Sequence, residues 1–135
     1  MMIHIKKIHH VGIVVKNLDQ SIIFWNNVLG LPLKNIEEVP SHQVKVAFLS
    51  TGESDIELVA RLNGSKKMQL EESEKESGLD HLCLEVEDIE QALDWLKMKN
   101  VKLINEEPVL LPGRKIAFIH PDAADGVLLE FYELI

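Results

Sequence analysis

Apolar and polar positions along this chain follow two periods, and the periods come in the same order twice. Ile8 to Val15 is apolar and rich in β-branched residues, which predicts a strand. Asn17-Leu18-Asp19-Gln20 then offers an Asn N-cap with Gln at the third helical position, a capping-box start. Ile22, Ile23, Phe24 or Trp25, and Leu29 recur at helical spacing, while Gly30 and Pro32 end the pattern, so a helix is predicted over Leu18–Leu29. Three strands follow: Leu33–Val39, stopped by Pro40; Gln43–Leu49, stopped by the turn-like Ser50-Thr51-Gly52; and Asp55–Ala60.

After a stretch rich in Lys, Glu, Ser and Gln, the order begins again. Leu79–Val86 reads as a strand, and Asp88-Ile89-Glu90-Gln91 repeats the N-cap with its Gln. Ala92, Leu93 and Leu96 carry a helix that Asn100 closes in the role of Gly30. Val101–Asn105, Arg114–Ile119 and Val127–Glu133 are the strands of the second set, with Pro108 and Pro112-Gly113 interrupting. The fold class is therefore α+β, two tandem βαβββ modules within a single domain spanning residues 1–135. Module one covers about 5–62, a connector about 63–77 and module two about 78–135; Met68 to Glu72 in the connector can form a short helix. Each module is small for independent stability, so the two are expected to form one folded unit.

Composition narrows the function classes. A net charge of −8 argues against a nucleic-acid surface, which needs clustered Lys and Arg. The one cysteine, Cys83, excludes an internal disulfide and fits a reducing, cytoplasmic setting; its place in a strand suits a small buried hydrophobe. No apolar run approaches the ~18 residues of a membrane span, and no signal-peptide core is seen near Met1.

The repeat also duplicates chemistry. His10 opens the first copy and His81 the second; Glu57 sits in Ile56-Glu57-Leu58 near the end of one, Glu130 in Leu129-Glu130-Phe131 near the end of the other. A carboxylate in an apolar strand either points to solvent or points inward and is held by a cation, because an unpaired buried charge is costly. If the modules pair about a pseudo-twofold, His10 faces His81 and Glu57 faces Glu130. That makes a His₂Glu₂ set suited to one divalent ion (Co, Ni, Mn, Zn or Fe) with open positions for an oxygen-bearing substrate. The other histidines read otherwise: His4 lies near the terminus, His9 on the opposite strand face from His10, and His42 and His120 in turns.

Those residues carry a resemblance. His9-His10-Val11-Gly12-Ile13, Phe24-Trp25 to Leu29-Gly30-Leu31, Val44 to Leu49, Asp55-Ile56-Glu57-Leu58, Gly78-Leu79-Asp80-His81 and His120-Pro121 to Gly126-Val127-Leu128-Leu129-Glu130 resemble the vicinal oxygen chelate superfamily, most of all methylmalonyl-CoA epimerases and next glyoxalase I (lactoylglutathione lyase). The resemblance implies a curved mixed sheet around a central metal cavity and a homodimer. Its ligand positions fall on His10, Glu57, His81 and Glu130. It implies a small thioester or hemithioacetal substrate, Glu130 as the base that removes a proton alpha to a CoA thioester, and Glu57 as a ligand or second proton carrier. Lys66, Lys67, Arg114 and Lys115 are the candidate cations for CoA phosphates. Two segments depart from the epimerase pattern, Leu62 to Ser77 and Val109 to Arg114, and Val46 stands where some epimerases have a second catalytic Glu. A ring-cleaving dioxygenase is disfavoured by the fourth ligand, and a non-enzymatic binding protein by the complete set.

Overall fold

In a computed structural model that describes residues 3–62 and 75–135, the chain forms two compact units. One unit is His10–Asp80 and the other is Met1–His9 with His81–Ile135. Both divisions fall inside strands, β1 (Ile5–Val14) and β5 (Gly78–Val86).

The His10–Asp80 unit runs β1, α1 (Leu18–Ile22), β2 (Leu33–Val39), β3 (Val44–Ser50) and β4 (Asp55–Arg61). Its strands lie in the order β2-β3-β4-β1, antiparallel except for the β1–β4 pair, which is parallel. A parallel pair needs a crossover, and α1 with β2 and β3 supplies it. Strand alternation sends Ile13 and Val15 from β1's side, and Ile56, Leu58 and Ala60 from β4, to one face. There they pack with Ala47, Leu49, Leu18, Ile22 and Trp25. The opposite face carries His10 and Glu57.

The second unit contains β5, α2 (Ile89–Met98), β6 (Val109–Leu111), β7 (Arg114–Ile119) and β8 (Leu129–Leu134), in the order β5-β8-β7-β6 with β5–β8 parallel. The first residues of β1 run beside β5, where Glu87 N donates to His4 O over 3.1 Å. Leu84, Val86, Leu129, Phe131, Ala117 and Ile119 pack against Ile89, Ala92, Leu93 and Leu96 of α2. Both modules are therefore βαβββ with mixed strand directions, the α+β class that the pattern predicts.

The caps form as the sequence indicates. Asn17 Oδ1 accepts from Gln20 N and Asp88 Oδ1 from Gln91 N, each at 3.0 Å. Gly30 (φ 82°) and Asn100 (φ 58°) both adopt the left-handed conformation that closes a helix.

Two predicted elements change, and one strand forms where none was predicted. The helix over Leu18–Leu29 is α only to Ile22; Ile23–Val28 widens into a π-helical turn. Leu29 N reaches Phe24 O at 3.0 Å and Leu31 N reaches Trp25 O at 3.1 Å, while Asn26 Nδ2 donates to Leu31 O at 2.7 Å. Ile-Phe-Trp-Asn-Asn-Val has little helix propensity, and the Asn26 side chain competes for the end of the helix. Val101–Asn105 is not a strand: only Leu103 bridges Ile119, because Asn105 Oδ1 takes the Phe118 N–H at 2.7 Å and ends the pairing. The strand of that unit's edge is instead Val109–Leu111, between two prolines. The predicted short helix at Met68 to Glu72, and most of the connector, lie outside the described residues. Among the described residues no helix is long and apolar enough to cross a membrane.

Candidate functional site

Each unit brings one of the predicted histidines to one of the predicted glutamates. In the His10–Asp80 unit, the parallel β1–β4 register sets Gly12 opposite Glu57, and His10 lies two residues earlier on the same face, beside the carboxylate. His10 Nε2 is 3.4 Å from Glu57 Oε1, with side-chain exposures of 1% and 13%. Phe48, opposite Glu57 in the β3–β4 ladder, presents its ring edge-on to His10 at 5.5 Å between centroids.

The other unit repeats this. Cys83 lies opposite Glu130 in the β5–β8 register, and His81 is two residues before Cys83. His81 Nε2 is 3.2 Å from Glu130 Oε1, with exposures of 1% and 6%. Phe118, opposite Glu130, meets His81 edge-on at 6.0 Å. Each trio is His, Glu and Phe on three neighbouring strands. The phenylalanines were not among the sequence candidates. Their signal was the second match of the repeat, Val46-Ala47-Phe48-Leu49 against Ile116-Ala117-Phe118-Ile119.

A buried carboxylate beside a buried imidazole is tolerable as a hydrogen-bonded pair or as two donors to one cation. Nitrogen and oxygen donors of this kind fit a borderline divalent ion, and each aromatic edge keeps its imidazole from turning away. His4, His42 and His120 sort as the sequence suggests. His4 pairs with Glu87, and His120 caps a turn by accepting from Asp122 N at 3.0 Å. His42 lies in the short turn Pro40–His42, buried. His9 departs from expectation: it stacks on Tyr132 at 4.2 Å, and Tyr132 shares the Glu130 face of β8. Cys83 is fully buried, on the glutamate-bearing face.

Of the four candidate phosphate-binding cations, Lys66 and Lys67 lie outside the described residues. Lys115 Nζ is 2.9 Å from Glu90 Oε2, and that hydrogen bond raises its pKa above the usual 10.5. Arg114 is buried rather than on the surface.

Comparison with known proteins agrees with the fold. The model of the Glyoxalase/Bleomycin resistance protein/Dioxygenase superfamily matches residues 9–118. A human mitochondrial methylmalonyl-CoA epimerase is 31% identical over 126 residues, 92% of this chain and 72% of that protein. A probable lactoylglutathione lyase of Synechocystis is 30% identical, covering 92% of each. The crystal structure of methylmalonyl-CoA epimerase from Mycobacterium tuberculosis superposes with a TM-score of 0.86 at 28% identity, over 97% of this chain and 89% of that one.

Proposed function

Since the chain belongs to the glyoxalase/bleomycin resistance protein/dioxygenase superfamily, we propose that it is a metal-dependent epimerase acting at the carbon alpha to a CoA thioester. His10, Glu57, His81 and Glu130 would hold one divalent ion. The observation that carries this reading is the duplicated trio: a buried His Nε2 within 3.4 Å of a Glu Oε1 in one unit and within 3.2 Å in the other, on matched strand positions. A bound ion would supply Lewis-acid stabilisation of the negative charge that gathers on the substrate's oxygens when the alpha proton leaves.

The chain's own groups do the proton work. Glu130, buried and beside His81, takes the alpha proton on a carboxylate oxygen. Inversion needs a proton returned to the opposite face of the carbon, and Glu57 is the group that carries it. Phe48 and Phe118 stand edge-on beside His10 and His81 and so border the two carboxylates' imidazole partners. The test is deuterium wash-in at the alpha carbon of methylmalonyl-CoA in D2O with cobalt- or nickel-loaded protein. Exchange supports the reading; its absence under conditions where metal is bound refutes it.

The lyase relative favours one second reading, isomerisation of the hemithioacetal of methylglyoxal and a thiol by the same four residues. Turnover of the glutathione adduct, with no exchange on methylmalonyl-CoA, would select it.

A further inference from the structure

The two modules repeat the row that bears His and Glu, then differ in the row beside it. Strand alternation puts the next residues of the same face two positions along, roughly 7 Å away. In the His10–Asp80 unit that row is Val14, Val59 and Val46, joined by the β1–β4 and β3–β4 registers and all fully buried. In the other unit the matching positions are Glu85, Tyr132 and Ile116, joined by the β5–β8 and β7–β8 registers and also buried. One step further, Arg114 holds the place that Val44 holds in the first unit. The fold tolerates valine at these positions, so packing does not require the polar set. Burying a carboxylate and a guanidinium costs several kcal/mol that valines avoid.

Arg114 is the cation of that set. It is only 9% exposed, its guanidinium carbon lies 5.9 Å from the Tyr132 ring centre, and Nη1 donates to Pro112 O at 3.0 Å. Tyr132 is held from another side by the stacked His9. Glu85, the acid of the row, has Lys6 Nζ at 3.4 Å. Ala117 and Ile119 occupy the helix side of β7, so Arg114, Ile116 and Phe118 share the face of Glu130.

We propose that Arg114, seated over Tyr132, is a specificity-determining residue that binds an anionic oxygen group of the substrate on the wall that carries His81 and Glu130. A guanidinium pairs with a carboxylate or phosphate through two parallel N–H donors. The carboxylate of an acyl group and the phosphates or carboxylates of a thiol carrier share that chemistry. The inference deepens the proposed function by assigning the charged end of its substrate, but Arg114's role does not depend on which reaction is catalysed.

The test is calorimetric titration of the whole chain with methylmalonate, CoA and glutathione separately, in wild type, Arg114→Gln and Arg114→Lys. The expected result is that Arg114→Gln weakens one of the three by tenfold or more, and Arg114→Lys weakens the same one less. Cobalt uptake and a cooperative thermal melt should stay at wild-type levels. Methylmalonate assigns Arg114 to the acyl group, and CoA or glutathione to the carrier. Wild-type affinity of Arg114→Gln for all three, or no binding of any by wild type, overturns the proposal. If Arg114→Gln fails to fold, Arg114→Lys carries the comparison: a threefold or greater loss supports the proposal, and unchanged affinity refutes it. Failure of deuterium wash-in with glutathione affinity lost in Arg114→Gln would reject the epimerase and keep Arg114's role. Wash-in with unchanged affinities would do the reverse.

Discussion

Replacing Glu130 with Gln tests the proposed metal set and the proposed base together. The side chain is 6% exposed and its Oε1 is 3.2 Å from His81 Nε2, so the near-isosteric amide keeps the contact distance and removes the charge. If four residues hold one ion, the ion binds the folded state and not the unfolded chain. At a free metal concentration of ~100 times the Kd, it should then stabilise wild type by about 2.7 kcal/mol. For a chain of 135 residues each kcal/mol moves the Tm by roughly 4 °C, so cobalt or nickel should raise it by about 10 °C. Losing one charged ligand should lower metal affinity by a hundredfold or more. At the same metal concentration the Glu130→Gln shift should fall to about 0.4 kcal/mol, or 1–2 °C. Loss of the general base should independently reduce deuterium wash-in by roughly 10²–10⁴-fold even when metal is raised to saturation. Differential scanning fluorimetry with a chelator baseline and mass-spectrometric exchange read the two effects separately. A full metal-induced Tm shift in Glu130→Gln would refute its role as ligand. Wild-type exchange at saturating metal would refute its role as base.

Three further outcomes follow from the same structure. Phe118→Ala removes a fully buried ring that leans on His81, and should cost about 3–5 kcal/mol in urea denaturation; a loss under 1 kcal/mol would mean the ring is not packed as described. Asp88→Ala deletes the acceptor for Gln91 N and should cost about 1 kcal/mol, while Asp88→Asn, which keeps an acceptor, should cost much less. Lys115 has its pKa raised by the Glu90 hydrogen bond, so that pair contributes below pH 10.5 and its contribution is lost as pH rises through the folded-state value; Glu90→Gln should flatten the alkaline fall in stability above pH 10.5, and an unchanged slope would dismiss the pair.

How far the sequence reached depends on the kind of signal. The N-caps at Asn17 and Asp88 and the closing residues Gly30 and Asn100 were legible because a cap is decided by a few adjacent residues. The helix over Leu18–Leu29 was overextended because apolar spacing of 3–4 residues does not distinguish an α turn from a wider one. The Asn26 side chain and the Leu31 carbonyl make that choice. Val101–Asn105 has strand composition, yet a side-chain oxygen on Asn105 replaces the ladder partner, a competition that no hydropathy pattern records.

For the candidate site, the chain's own repeat singled out His10, Glu57, His81 and Glu130 as a set, and the structure sets His10 beside Glu57 and His81 beside Glu130. A repeat can do this because equal local sequences form equal strands, and equal strands put equal positions on equal faces. Tertiary structure decided the rest. It chose the ladder registers that set Phe48 and Phe118 against the imidazoles, and it buried Arg114 over Tyr132, a placement that its naming as one of four candidate phosphate-binding cations did not contain. Register and burial depend on residues far apart in the chain, so they become physical facts only once the strands are side by side.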